Sequence, residues 1–355
     1  MTFNPASLAQ SWPLPADPRP IVTFGAGSIV GDAHFPAYKK AGFPIAGLYD
    51  PDIEKARVLA EKWNVRSFES IEEAVSVERA IFDLATPPAR HADVLRKLPD
   101  GAPVLIQKPM GSDLDQATEI LKICRGKNLK AAMNFQLRFA PMMLALKDAI
   151  AKGWLGEIVD FDAWLALDTP WQLWPFLKGQ PRIEIAMHSI HYLDLIRQVL
   201  GDPQGVHAKT MGHPNHDVAQ TRTSAILDYG DRVRCALSIN HDHKFGRKFQ
   251  TCEFRVAGTE GAAYLQLGVN LDYPRGEPDR LLIHPKGGSE WIDVPLEGAW
   301  FPDAFVGRMA NLQRFASGED SELVSSVEDA WNTMALVEAA YQSSVSPATP
   351  LQRRP

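Results

Sequence analysis

Between residues 21 and 150, short β-branched or apolar runs alternate with helix-length segments, and this alternation constrains the fold more than any other feature. The strand candidates are Ile21–Phe24, Ile45–Tyr49, Ala80–Leu84, Pro103–Ile106 and Lys130–Met133. The segments between them carry helical spacing, for example Asp52–Trp63 and Asp113–Gly126. The pattern predicts a doubly wound parallel sheet with helices on both faces and right-handed crossovers. After about residue 155 the chain changes to long strands: Glu157–Asp168, Gln220–Tyr229, Arg232–Asn240, Gln250–Ala257 and Ala262–Leu267. These predict an open, largely antiparallel sheet. Tyr229-Gly230-Asp231-Arg232 reads as a tight hairpin turn, with glycine where positive φ is needed. A helix-like insert over His188–Leu200 stops at Gly201, and Ser325–Ser343 is helical again.

Gly25-Ala26-Gly27-Ser28-Ile29-Val30-Gly31 follows the first strand and opens a helix. Gly25 allows a tight turn, and Gly27 lets backbone approach a pyrophosphate whose charge meets the helix N-terminus. The third small residue of that fingerprint would fall at Val30, which is not small. Asp50 ends the second strand about 20 residues on, where a carboxylate accepts both ribose hydroxyls of NAD and repels the 2′-phosphate of NADP. These residues predict a Rossmann-type domain that binds NAD rather than NADP. Thr86 and Pro87, with His91 following, form a loop at a strand's carboxyl end, where such sheets place their cofactor crevice. Gln107-Lys108-Pro109 ends the next strand, so Lys108 points into the same crevice. An ammonium beside a cationic nicotinamide has a lowered pKa, which suits proton exchange with a hydroxyl. On an α-helix, Glu184, His188 and His191 stand at i, i+4 and i+7 and share a face.

The net charge excludes several partners. Lys plus Arg is 37 against 43 for Asp plus Glu, a formal charge of −6, so the 355-residue chain lacks the basic character that nucleic acid needs. No apolar run approaches the ~20 residues of a membrane-spanning helix. The Pro-rich start, residues 1–19, has no signal-peptide pattern and reads as an irregular arm able to embrace a neighbouring subunit. Three scattered cysteines, Cys124, Cys235 and Cys252, fit a reducing, cytoplasmic compartment. The histidine clusters His213–His216 and His241–His243 match no metal-ligand spacing, and no metal is expected.

In order and spacing, these motifs resemble the glucose–fructose oxidoreductase / inositol dehydrogenase family of NAD(P)-dependent sugar oxidoreductases. The matching elements are Gly25-Ala26-Gly27 with His34-Phe35-Pro36-Ala37, Tyr49-Asp50-Pro51, Ala85-Thr86-Pro87 with His91, and Lys108-Pro109. Asn134-Phe135-Gln136-Leu137-Arg138-Phe139 with Pro141 follows, then Ser189, His191 and Asp194 within an Asp-x-Gly-x-His-x-x-Asp motif, then Gly258-Thr259-Glu260-Gly261. The resemblance runs from about residue 20 to residue 345. It implies a Rossmann domain over 20–138, with C-terminal helices able to pack back on it. A substrate-binding and oligomerisation α+β domain over 139–345 and a tail over 346–355 complete the chain. Carried over, Lys108 and His191 are the acid–base residues. The cofactor set is Gly25, Gly27, Ser28, Ile29, Asp50, Thr86, Pro87, His91, Gln107, Lys108, Asn134 and Trp174. Lys108, Arg138, Trp171, Arg182, His188 and His191 are the substrate-side expectations. Trp171 belongs to an aromatic loop suited to sugar faces, and Arg182 suits a substrate carboxylate.

Two departures bear on the chemistry. Gln107 stands where the family has Glu, and Met187 where the motif has its first Asp. The expected activity is oxidation of a secondary or anomeric hydroxyl of a sugar, polyol or sugar acid, with a homodimer or homotetramer as the assembly. The Met187 departure leaves a redox-neutral lyase, isomerase or hydrolase using tightly held NAD as the alternative. A non-catalytic NAD sensor is the second.

Overall fold

The computed structural model describes residues 2–173, 177, 179–215, 217–273 and 275–352. The first sheet holds six parallel strands in the order β3-β2-β1-β4-β5-β6. These are β1 (Ile21–Phe24), β2 (Ile45–Tyr49), β3 (Arg66–Ser67), β4 (Ile81–Leu84), β5 (Pro103–Ile106) and β6 (Lys130–Met133). Strands β1, β4 and β5 are buried along their whole length, as a sheet covered on both faces requires. Helix α1 (Phe35–Ala41) carries Pro36 in its first turn and is closed by Gly42, whose φ is 71°. Helix α2 (Ile53–Trp63) is capped by the Asp52 side chain on the Lys55 amide. The short α3 (Ile71–Val75) and α4 (His91–Lys97) follow, and α5 (Leu114–Gly126) is capped by Asp113.

Helix α6 (Pro141–Ala151) leads into the second sheet, eight strands in the order β14-β13-β12-β11-β7-β10-β9-β8. Its long strands are β7 (Ile158–Ala166), β8 (Gly205–Met211), β9 (Arg222–Asp228), β10 (Arg234–Asn240), β11 (Thr251–Gly258), β12 (Ala262–Gln266) and β13 (Arg280–His284), with β14 (Ile292–Asp293) at the edge. Every pairing is antiparallel except β7 with β10, which is parallel and makes the sheet mixed. Residues along β9 alternate buried and exposed, the mark of a sheet covered on one face. Helix α7 (Ile190–Leu200), helix α8 (Trp300–Ser317) and helix α9 (Val327–Val345) complete the fold. Among the described residues no helix is long and apolar enough to cross a membrane.

The structure corrects the sequence reading in four places. Strands β3, β8, β13 and β14 and helix α8 were not anticipated. Helix α8 packs Phe305, Met309 and Leu312 onto Ile21, Leu48, Ile81 and Leu105, so the last fifth of the chain roofs the first sheet. The insert expected as one α-helix begins as a π-helical turn over Glu184–Ser189. The N-terminal arm lies on its own chain. Phe3 packs edge-on against Trp154, Trp12 Nε1 donates to Asp320 at 2.8 Å, and the Arg19 amide donates to Gln313 at 2.7 Å.

Candidate active site

The glycine loop turns between β1 and α1 under tight limits. Gly25 has φ 108°, and a Cβ there would lie 2.5 Å from the Ala85 carbonyl oxygen. Only glycine fits both constraints. A Cβ on Gly27 would meet nothing within 4 Å, so the loop's outer face is open. Ser28 and Ile29 stand at that lip, exposed and half-buried. A π-helical turn over Val30–His34 follows. Its extra residue explains the imperfect fingerprint: Val30 is fully buried, and Gly31 takes the close-packing place, its Cβ position 3.1 Å from Leu59 of α2. The Asp50 carboxylate accepts from the Ala26 amide at 2.8 Å and the Asp52 amide at 2.9 Å. It is fixed at the end of β2 beside the loop, with lone pairs left over. Across the crevice the Thr86 hydroxyl is buried without a partner, and Pro87 is exposed. An open amide loop, a fixed carboxylate and an unpartnered hydroxyl fit a dinucleotide. His91 is a correction: it is fully buried behind the loop, its Nε2 3.0 Å from the Thr86 carbonyl oxygen. Burial pushes its imidazole down to about 4, so it shapes the loop as a neutral ring and does not face the crevice.

Gln107 and Asn134 are corrected as well. Both side-chain amides turn to His34 Nε2, each at 3.3 Å. The opposite nitrogen, Nδ1, lies 2.8 Å from Asp83, to which the Tyr38 hydroxyl also donates. This pattern assigns the proton to Nδ1 and a lone pair to Nε2. A glutamate at 107 would set carboxylate oxygen against that lone pair, whereas the glutamine amide donates to it. The Gln107 carbonyl oxygen meanwhile accepts from the Lys108 amide at 2.9 Å, fixing the backbone beneath the lysine.

Lys108 reaches from the end of β5 to the second sheet's helix. Its Nζ donates to the Met187 carbonyl at 2.7 Å, and burial pushes the ammonium down to about 8. His191, on the first turn of α7, packs between Phe135 and Trp300, with ring centroids 6.2 Å from each. Burial, and then the Lys108 charge, hold His191 well below the usual imidazole range, so it is neutral at pH 7. Its Nδ1 is buried without a partner. His188 stands edge-on to Trp171 at 5.5 Å and 4.6 Å from the His241 ring. It is held low by burial, then by His241, Lys108 and His191.

Glu184 does not share the face expected for it. In the π-helical turn the residue stacked over Glu184 is i+5, and the Ser189 hydroxyl donates to its carboxylate. Thr223 on β9 donates to the other oxygen. His188, at i+4, is thereby turned toward Trp171 and His241. Arg138 is not free for substrate: it grips Asp194 through two bonds of 2.6 Å, and Asp329 stands at 2.8 Å. Arg182 is likewise committed, bonded to Glu338 at 2.5 and 3.1 Å with its guanidinium over Tyr341. Trp174 and His216 lie outside the described residues. His241 and His243 part company, the first on Thr169 and the second on the Lys248 carbonyl. Sequence reasoning saw Glu184 and His241 separately and missed that Thr223 and the second sheet join them. Among the described residues no group of three or more His, Cys, Asp or Glu could hold a metal ion.

Two family models match the chain. One, an oxidoreductase family with an NAD-binding Rossmann fold, covers residues 20–135, and the other, the GFO/IDH/MocA C-terminal domain, covers residues 143–264. D-apiose dehydrogenase of Rhizobium rhizogenes is 22% identical over 317 residues, 87% of this chain and 90% of that protein. 1,5-Anhydro-D-fructose reductase of Ensifer adhaerens is 25% identical over 330 residues, 89% of this chain and 94% of that protein. An oxidoreductase from Agrobacterium radiobacter, solved in complex with NAD+, L-tartaric acid and magnesium, has the same fold with a TM-score of 0.77. Its identity is 21%, over 92% of this chain and 96% of that one. With both of its domains matched and the glycine loop and crevice lysine in place, the chain belongs to the GFO/IDH/MocA oxidoreductase family.

Proposed function

We propose that this protein is an NAD-dependent dehydrogenase that oxidises a secondary or anomeric hydroxyl of a neutral sugar or polyol. The carrying observation is Lys108 Nζ, 2.7 Å from the Met187 carbonyl, which places a depressed-pKa lysine at the junction of the two sheets beside His191. The glycine loop over Gly25–Ile29, Asp50 and Thr86 would hold the dinucleotide, which when bound supplies the hydride acceptor. Lys108 in its amine form takes the hydroxyl proton, and neutral His191 orients that hydroxyl. Trp300 and Phe135, packed about His191, keep water from it. The relatives' names, D-apiose dehydrogenase and 1,5-anhydro-D-fructose reductase, support a sugar-sized substrate. A sugar acid loses its main attraction because Arg182 is already bonded to Glu338. The Asp50 carboxylate favours NAD over NADP.

The test is absorbance of reduced cofactor on mixing purified protein with NAD or NADP and a panel of sugars, polyols, aldonates and lactones. A substrate-dependent rise with NAD, at least tenfold faster than with NADP, is the expected result, tenfold being about 1.4 kcal/mol of discrimination. Equal rates would overturn the NAD preference. Tightly held NAD with product formed and no net reduction would move the protein to redox-neutral chemistry, which the Met187 departure would explain. Bound NAD with no turnover of any kind would leave a sensor.

A homo-oligomer is the expected assembly. On the uncovered face of the second sheet, Trp164 is 48% and Ile226 56% exposed. Light scattering should return the mass of a dimer or tetramer, and a monomeric mass would refute this. Three buried free thiols, Cys124, Cys235 and Cys252, fit a reducing cytoplasm.

A further inference from the structure

Met187 leaves the site without the carboxylate that the motif places there, and a thioether accepts no proton at neutral pH. A buried chain of groups stands beside the vacated position. Half-buried His188 follows Met187 directly, and the Met187 carbonyl holds Lys108. Behind His188, at a centroid distance of 4.6 Å, is the His241 ring, which is 1% exposed. His241 Nδ1 lies 2.7 Å from the buried Thr169 hydroxyl, and its Nε2 lies 3.7 Å from Glu184 Oε1. If the threonine donates to Nδ1, the ring proton sits on Nε2 and faces the carboxylate. The opposite tautomer would aim a lone pair at Glu184. Glu184 is fully buried, and Ser189 and Thr223 hydroxyls donate to it. Among the described residues no Lys or Arg pairs with it, so the imidazole side is where its charge is felt.

We propose that His188, backed by His241 and Glu184, is the second proton-handling group of the site and replaces the carboxylate missing at 187. The proposal rests on Lys108 being the base that takes the substrate's proton. One proton moves. The Lys108 ammonium formed in turnover passes it to a ring nitrogen of His188, Lys108 returns to the amine, and the His188 imidazolium releases it to water in the cleft. No electrons are transferred. His188 is neighboured by Lys108 from β5, His191 from α7 and His241 from the loop after β10, with Glu184 behind His241. Burial, and then His241, Lys108 and His191, keep His188 a poor base, which makes proton release fast. Glu184, facing His241 Nε2 at 3.7 Å, offsets part of the effect of His241 on His188. His241 and Glu184 are positioning residues in this scheme.

The test has a kinetic and a ligand-free arm. In the kinetic arm His188→Ala lowers kcat about tenfold or more with KM within about threefold, and added imidazole restores kcat in proportion to its concentration. A merely structural role would not respond to imidazole. Unchanged kcat, or a loss that imidazole does not restore, overturns the relay while leaving Lys108 as the base. Failure of the wild-type protein to reduce either cofactor would instead be a failure of the dehydrogenase reading. The ligand-free arm then decides the relay. In 15N-histidine NMR, Glu184→Gln lowers the His188 titration midpoint by about half a pH unit or more, with folding checked by the unmoved His91 signal. His241→Asn moves it the other way, because His241 is one of the groups that hold His188 low. A His188 midpoint unmoved in both variants overturns the relay.

Discussion

Lys108→Ala is expected to lower kcat by about 10²–10⁴-fold, the usual contribution of a positioned acid–base group. NAD affinity should change little. The lysine reaches away from the glycine loop to the Met187 carbonyl, so its removal leaves the nucleotide's anchors intact. Lys108→Arg should be as inactive as the alanine variant, because a guanidinium does not give up its proton in proteins. The pH dependence has a definite sign. Burial lowers the ammonium to about 8, so the amine form grows as pH rises toward that value. Oxidation should therefore rise about tenfold per pH unit below 8 and level off above it, and the reverse reduction should show the opposite slope. Stopped-flow rates across pH 6 to 10 with the best panel substrate would check both. A Lys108→Ala enzyme within threefold of wild type would remove the lysine from the chemistry.

Asp194→Ala is expected to be the most destabilising single change at the site, by about 3–5 kcal/mol. Asp194 is 1% exposed and accepts two Arg138 bonds of 2.6 Å, with Thr333 donating at 3.1 Å. Asp329 is left to face Arg138 alone while it also serves Arg197. The fully buried Arg308 is near enough for the Arg138 charge to weigh against its own, after burial, and its guanidinium is pushed down to about 9. Removing Asp194 leaves two cations in the interior with less compensation. The midpoint of urea unfolding, followed by tryptophan fluorescence, should fall accordingly. Replacing both partners, Arg138→Met with Asp194→Leu, should recover most of the loss, since an apolar pair needs no compensation. A midpoint unchanged by Asp194→Ala would show that Asp329 suffices. Because Asp194 lies one turn beyond His191 on α7, the single variant should also lose activity before it loses fold.

Much of the first sheet was legible, and for a physical reason. Strands buried on both faces, such as Ile21–Phe24 and Pro103–Ile106, are plain apolar runs, and the crevice residues sit at their carboxyl ends. The two-residue β3 carries no such signal. Helix α8 was missed because Arg308, Asn311 and Gln313 interrupt its buried face. Each bonds a group outside the helix: Arg308 the Met133 carbonyl, Asn311 the Val324 amide, Gln313 the Arg19 amide. The site's lysine and His191 followed from motif and position. Its arginines did not, because their partners are remote: Arg138 and Asp194 are 56 residues apart, Arg182 and Glu338 156. The π-helical turns at Val30–His34 and Glu184–Ser189 are each one residue out of helical step, and 3.6-residue spacing cannot announce an inserted residue.

The roof that α8 lays over the first sheet has a consequence for how the protein is made. A chain emerging from the ribosome N-terminus first completes β1 to β6 by residue 133, yet the helix that covers Ile21, Leu48, Ile81 and Leu105 begins only at residue 300. For nearly half of synthesis the part of that face under α8 lacks its native cover, although α1 and α2 already pack beside it. The arm waits too: Trp12 finds Asp320, and Arg19 finds Gln313, only once nearly the whole chain has been translated. Nascent chains stalled before residue 300 should therefore expose apolar surface and engage holdase chaperones, and release of that engagement should coincide with emergence of the α8 segment.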